Sequence, residues 1–291
     1  MSYAMMKENE GEHIMKKHIL FPFLSLLAVM VLWGLWENQA LQITHIPVSS
    51  RNLPESFDGF RIAQVSDLHN AAFGENNESL LQKLWQAEPD IIAITGDLID
   101  SQHTDTETAL AFVEGAVKIA PCYYVTGNHE ARISTYPQFE DQMKALGVTV
   151  LRTEAAVLER DGSHITLLGV DDPAFDRSGQ TDAQTLSQQL DSLLPEGFTI
   201  LLSHRPEHFS LYCQYKIELV LSGHAHGGQL RLPLLGGVIA PHQGFFPKYD
   251  SGLYTASNTS MVVSRGLGNS LFPFRLNNPP EIVCITLHNW I

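Results

Sequence analysis

Seven residues in five short blocks have the types and spacing to hold metal ions: Asp67 and His69 in SDLH, Asp97 in GDLID, Asn128 in GNHE, His204 in LSHRPE, and His224 and His226 in SGHAHGGQ. Carboxylate, amide and imidazole donors in this mixture suit divalent transition metals such as Mn, Fe or Zn, and the lack of thiolate excludes a cysteine-built structural zinc site. Seven donors are too many for one tetrahedral ion and natural for a pair of ions sharing a carboxylate. Gly96, Gly127 and Gly223 each directly precede one of these residues, where a missing Cβ permits tight turns and close backbone approach. The alternative for either Asp is a turn residue or helix cap. His204, whose block offers a single donor in a short context, is the least constrained of the set.

These blocks need elements that aim them at one place. Short apolar runs bounded by turn residues at 61–65, 91–95, 123–125, 165–170, 200–203 and 219–222 read as buried strands. The segments 78–87, 106–119 and 136–146 carry apolar residues at three- and four-residue spacing and read as helices, the last ending before Gly147. Such alternation predicts a sheet covered by helices. Every candidate donor follows the end of a strand, and in open α/β sheets ligands gather beyond the carboxyl ends of the strands. Later strands at 253–255, 261–264 and 282–287 succeed one another without helices, which predicts a second sheet packed on the first. Residues 38–54 read as a linker or edge strand.

The chain of 291 residues carries a formal net charge of -14, which argues against nucleic acid as a partner, because that recognition draws on clustered Lys and Arg. Its three cysteines are far apart and form no CxxC pair, so no disulfide framework is predicted. Residues 19–36, ILFPFLSLLAVMVLWGLW, contain no charge and are just long enough to span a thin hydrocarbon core. Trp33 and Trp36 fit an interfacial belt, and Lys7, Lys16 and Lys17 before the run against Arg51 after it orient the N-terminus to the cytoplasm. A buried core helix or a cleaved signal peptide would give a similar run. Residues 37–40 offer no small-x-small cleavage site, so an uncleaved single-pass anchor is expected. The expected organisation is a cytoplasmic tail at 1–18, an anchor at 19–36, a linker or edge segment at 37–56 and a catalytic domain at 57–291 outside the cytoplasm.

The ordered blocks D-x-H, GD, GNHE, H and GHxH resemble the calcineurin-like metallophosphoesterases over roughly residues 60–287. GHAHGGQ at 223–229, SRGLG at 264–268 and FRLNNPPEI at 274–282 are similar to the longer pattern of membrane-associated bacterial phosphoesterases of the YkuE/YaeI type. The resemblance implies an α/β fold, a four-layer αββα sandwich of two mixed β-sheets flanked by helices, here with one N-terminal transmembrane helix added. It implies two divalent metal ions, one held by Asp67, His69 and His226, the other by Asn128, His204 and His224, with Asp97 bridging them. A metal pair roughly 3.5–4 Å apart would acidify a bridging water and stabilise charge on phosphorus-bound oxygens. His129 matches the family histidine that binds the substrate phosphate and protonates the leaving oxygen; a purely orienting role is its alternative.

Asp100 and Glu130 are positioned to orient ligand imidazoles, and Arg265 in SRGLG either contacts substrate phosphate or forms a structural ion pair. His103, His164, His208, His242 and His288 match no block and are expected in surface or core roles. Apolar residues between 245 and 254 suggest a lipid-facing lip. The expected activity is hydrolysis of phosphate mono- or diesters by a monomer. Its anchor in the lipid bilayer favours membrane- or envelope-linked substrates. The alternatives are hydrolysis of the pyrophosphate of UDP-2,3-diacylglucosamine, which requires a cytoplasmic domain, and a non-catalytic scaffold on the same fold.

Overall fold

A computed structural model describes residues 20–25, 28–193, 197–269 and 272–290. The expected cytoplasmic tail at 1–18 lies outside the described residues. Helix α1 (Leu20–Glu37) is 18 residues long with a mean hydropathy of 1.8 and is mostly uncovered by the rest of the chain. By length and composition it can cross a bilayer.

The strands are β1 (Gln42–Ser50), β2 (Arg61–Val65), β3 (Ile91–Thr95), β4 (Cys122–Val125), β5 (Thr149–Val150), β6 (Glu154–Arg160), β7 (Ser163–Gly169), β8 (Thr199–Leu202) and β9 (Leu219–Ser222). Two short hairpins follow, β10 (Arg231–Leu232) with β11 (Gly236–Gly237) and β12 (Ile239–Ala240) with β13 (Gly244–Phe245), then β14 (Gly252–Ala256), β15 (Thr259–Val263) and β16 (Glu281–Asn289). Interleaved with them are α2 (Glu78–Gln86), α3 (Thr106–Ala116), α4 (Tyr136–Ala145), α5 (Asp182–Asp191) and α6 (Phe209–Gln214). The first sheet runs β1-β16-β2-β3-β4-β5, parallel except where β16 meets β2; the second runs β14-β15-β9-β8-β7-β6, parallel from β15 to β7 and antiparallel at both edges.

The two-residue period of a strand sorts the side chains into layers. On β3, Ile91 and Ala93 face the second sheet, while Ile92 and Ile94 pack under Leu84 of α2 and Phe112 and Ala116 of α3. On β9, Leu219 and Leu221 meet the first sheet, while Val220 packs with Leu186 of α5 and Tyr212 of α6. The result is helix, sheet, sheet, helix, with three apolar cores between the layers. Each fully buried Ile, Leu or Phe contributes about 1.5–3 kcal/mol before conformational entropy is counted. Asp105 caps α3 by accepting from the backbone of Glu107 and Thr108.

One expectation needs correction, and one open alternative is decided. The last strand does not join the second sheet with its sequence neighbours: β16 returns to the first, between β1 and β2, where its inward face meets the inter-sheet core through Val283, Ile285 and Leu287. Residues 38–54 contain a full edge strand, β1, which pairs in parallel with β16 over nine residues and contributes Ile46 and Val48 to that core.

Candidate metal centre

The loops after β2, β3, β4, β8 and β9 meet at one end of the paired sheets and lace together through the backbone. Asp67 N–H donates to Gly96 O, His69 N–H to Asp97 O, and Gly268 N–H to Asp67 O. Asp67, His69, Asp97, His224 and His226 all have φ between 45° and 66°, a region that ordinary side chains visit rarely and that persists where surrounding structure enforces it. Two glycines make the enforcement possible. A Cβ on Gly127 would stand 2.2 Å from Asp97 Oδ1, and one on Gly223 would stand 1.9 Å from Ser66 Oγ.

Glu130 ties the GDLID and GNHE loops together. Fully buried, it accepts from the backbone of Asp97 at 3.0 Å, Leu98 at 2.8 Å and Gly127 at 2.8 Å. It therefore acts on loop backbones, where the sequence had suggested an imidazole partner. Asp100 likewise accepts from Gln102 and His103 and stands 4.0 Å from His129, beyond hydrogen-bond reach.

All seven predicted donors are buried, and the six Asp and His among them collect into two neighbouring groups. In the first, His69 Nε2 lies 3.2 Å from His226 Nε2, and His226 Nε2 lies 3.3 Å from Asp67 Oδ1. In the second, His224 Nδ1 lies 3.1 Å from His204 Nε2; in the GNHE loop, Asn128 Oδ1 is buried without a hydrogen-bond partner among the described residues. Asp97 stands between them: its Oδ2 is 3.6 Å from His69 Nε2 and 3.2 Å from His204 Nε2, and its Oδ1 accepts the backbone N–H of His129 at 2.8 Å.

These spacings fit metal ions better than they fit direct hydrogen bonding. Two nitrogens bound at about 2.1 Å and separated by 90–110° stand about 3.0–3.4 Å apart, the range seen within both groups. Asn128 Oδ1 would otherwise be an acceptor buried without compensation. His204 Nδ1 donates to Thr95 O at 2.7 Å, which fixes the tautomer that leaves Nε2 with a free lone pair.

The electrostatics agree. Burial depresses His69 and His226 to about 3 and His224 well below the usual imidazole value, so all three are neutral, the form that ligates. Burial would lower His204 too, but the carboxylates of Asp97 and Asp67 lift it to about 10. Burial works to raise Asp97, yet the facing His204 holds it well below the usual carboxylate range; burial raises Asp67, with His204 opposing and Asp97 adding. The polypeptide's own field thus favours positive charge at this spot.

Around the donors stand residues that the sequence reading placed elsewhere or passed over. Ser101 donates its backbone N–H to His129 Nδ1 at 3.0 Å, so in the neutral ring the proton sits on Nε2. Arg205 is buried on Asp172, donating from its second terminal nitrogen at 2.8 Å, and reaches His242 Nδ1 at 3.0 Å. His242, expected in a surface or core role, sits at the mouth of the centre with Nδ1 2.8 Å from His224 Nε2. Asp172 follows the end of β7 in GVDDP, and the strand-end rule that found the donors could have found it. No comparable signal marks His242. Arg265 forms an ion pair: it donates to Glu281 Oε2 at 2.6 Å and contacts Thr44.

The model of the calcineurin-like phosphoesterase family matches residues 60–228. The chain is 34% identical over 259 residues to the uncharacterized metallophosphoesterase YkuE of Bacillus subtilis, covering 86% of this chain and 87% of that protein. It is 29% identical to phosphodiesterase YaeI of Escherichia coli, covering 78% and 82%. A transmembrane protein with metallophosphoesterase domain from Bos taurus is 31% identical over 94% of this chain, which spans 63% of that relative's length.

Proposed function

The chain belongs to the calcineurin-like phosphoesterases and is a metal-dependent phosphoester hydrolase; from that premise we propose that it is a membrane-anchored, dinuclear enzyme acting on phosphoesters carried by lipids or other envelope components. Asp67, His69 and His226 hold one ion in this reading, Asn128, His204 and His224 hold the other, and Asp97 serves both. One observation carries it: a single carboxylate oxygen, Asp97 Oδ2, faces imidazoles of both groups within 3.6 Å. When bound, the ions supply the Lewis acidity that yields a hydroxide nucleophile near neutral pH and offsets charge on the phosphoryl oxygens.

The chain's own residues then do the remaining work. His129, its Nδ1 occupied by Ser101, presents an Nε2–H beside the centre, and one of its ring nitrogens lies within 4.8 Å of donor atoms of His69 and Asp97. From there it hydrogen-bonds the phosphate and delivers a proton to the leaving oxygen. Asp172 and Arg205 hold His242 against His224, and Glu130 keeps the Asp97 and Asn128 loops in register. Helix α1 concentrates the site at a bilayer, which raises the effective concentration of membrane-borne esters over soluble ones. The lysines before α1 place the domain outside the cytoplasm in this reading.

The test is to reconstitute the full chain in lipid vesicles and compare turnover of a phosphodiester lipid in the same bilayer with that of a soluble phosphodiester. A preference for the embedded ester supports the reading; equal turnover per substrate contradicts its substrate half. A phosphatase reporter fused after Ile291 reads orientation independently, since it is active only outside the cytoplasm.

A further inference from the structure

Beside the metal centre the chain displays apolar side chains that a water-exposed loop does not need. Leu234, at the tip of the β10–β11 hairpin, is 106% exposed; Leu232 and Leu235 flank it, and Phe245 and Phe246, at 74% and 59%, end the β12–β13 hairpin. Leu234 and Phe246 have φ of 69° and 53°, where glycine or asparagine is the relaxed choice. Among the described residues, little covers these bulky apolar side chains, two of which are held in an unfavourable backbone region.

Their neighbours say what covers them. The hairpins are built on the turn that carries His226: Val238 N–H donates to Gly228 O, and a Cβ on Gly228 would meet Gly237 Cα at 2.3 Å. They are also joined to α1 through one connecting segment. Leu230 bridges Leu276, Arg231 N–H donates to Leu276 O, Arg275 N–H donates to Asn38 Oδ1 at 2.9 Å, and Asn278 N–H donates to Glu37 Oε1 at 2.9 Å. Gly34 of α1 lets this segment approach, since a Cβ there would stand 2.9 Å from Arg275 O. The last turn of α1, with Trp33 and Trp36 uncovered, is thus tied to the base of the two hairpins. Lys248 stands exposed just beyond Phe246, as a cation at a headgroup layer would.

We propose that the β10–β11 turn, Leu232–Leu235, and the open end of the β12–β13 hairpin, Phe245–Phe246, dip into the same bilayer that α1 spans and form a membrane-embedded lip beside the metal centre. The partner is the lipid surface itself. Exposed apolar side chains tied to an anchor through one connecting segment, with a cation beside them, fit the boundary between headgroups and acyl chains. His242 lies on the loop between β12 and β13, so the lip and a residue touching metal ligand His224 belong to one hairpin. A phosphoester at headgroup depth would then reach the centre without leaving the membrane. The proposal rests on the reading of α1 as an anchor.

The experiment separates the two. In the full chain carrying Cys213→Ser, the other two cysteines being buried, single substitutions Leu32→Cys in α1, Leu234→Cys and Phe245→Cys on the lip, and Val157→Cys on β6 are labelled with an environment-sensitive fluorophore. Each protein is reconstituted in vesicles of phosphatidylethanolamine and phosphatidylglycerol. The lip labels are expected to show blue-shifted emission and quenching by nitroxide lipids but not by iodide, as at position 32, while position 157 behaves as in water. Lip labels quenched by iodide beside a lipid-buried position 32 overturn the lip and leave the anchor standing. A water-exposed position 32 overturns both.

Discussion

Nε2 of His224 faces Nδ1 of His242 across 2.8 Å, and Arg205 donates to the same His242 nitrogen at 3.0 Å. With Nδ1 of His224 turned to the metal centre, its Nε2 carries the proton, and the acceptor within reach is His242 Nδ1, whose one lone pair it shares with Arg205. His242→Ala is expected to weaken binding of one of two metal equivalents about 10–100-fold, the range for losing such a partner. Chelator competition with direct metal analysis reads it, and unchanged affinity for both equivalents would refute the role.

His129→Ala should retain both metals, because its ring contributes no atom to either donor group in this account. Its rate deficit should reach about 10²–10⁴-fold on an alkyl phosphodiester, whose alkoxide needs a proton to leave, and be smaller on a p-nitrophenyl ester, whose anion leaves without one. Equal deficits on the two esters, or loss of metal, would count against proton delivery. Ser101→Pro removes the N–H that sets the tautomer and should shift activity in the same direction.

Gly223→Ala places a methyl group 1.9 Å from Ser66 Oγ and 2.5 Å from Asp67 Oδ2. The loop must move, at about 1–3 kcal/mol of overpacking strain. Because Asp67 also accepts the backbone N–H of His224 at 3.1 Å, the movement should reach the first metal position. Thermal unfolding and metal content report the two effects, and a variant normal in both would show the loops to be looser than described.

Beneath the GNHE loop, Arg152 links Glu140 of α4 to Asp171, which in turn accepts from Thr126. Burial works to raise Glu140, but Lys144 and Arg152 outweigh it and leave its folded value below the ordinary one. A depressed folded pKa contributes stability that is present above the unfolded value of about 4.3 and is lost as pH falls through the folded value. Glu140→Gln should therefore flatten the fall in stability at acid pH while lowering stability near neutrality. Urea midpoints at several pH values check this; parallel curves for the two proteins would remove Glu140 from the account.

The donors were legible because each stands at the end of an apolar run that alternation alone marks as a buried strand, as at Ile91–Thr95 before Asp97. What the sequence did not show depends on tertiary competition. Glu281–Asn289 is buried along most of its length and reads the same in either sheet, so only packing decides that it lies between β1 and β2. Helix Asp182–Asp191, with the sequence DAQTLSQQLD, buries only Thr185, Leu186 and Leu190; its visible trace is the capping box of Thr181 and Gln184. Strand Glu154–Arg160 is an edge with most side chains exposed, so its apolar pattern is faint. His242 belongs to no motif and becomes meaningful only through its distance to His224.

The most direct test is hydrolysis of bis-p-nitrophenyl phosphate by the full chain, metal-stripped and then titrated with Mn, beside Asp97→Asn carried through the same steps. Asp97 Oδ2 faces imidazoles of both donor groups within 3.6 Å, so the account predicts activity that appears with two equivalents of metal, disappears with chelator, and is lost in Asp97→Asn although that variant stays folded. Metal-independent hydrolysis, full activity at one equivalent, or an active Asp97→Asn would contradict it.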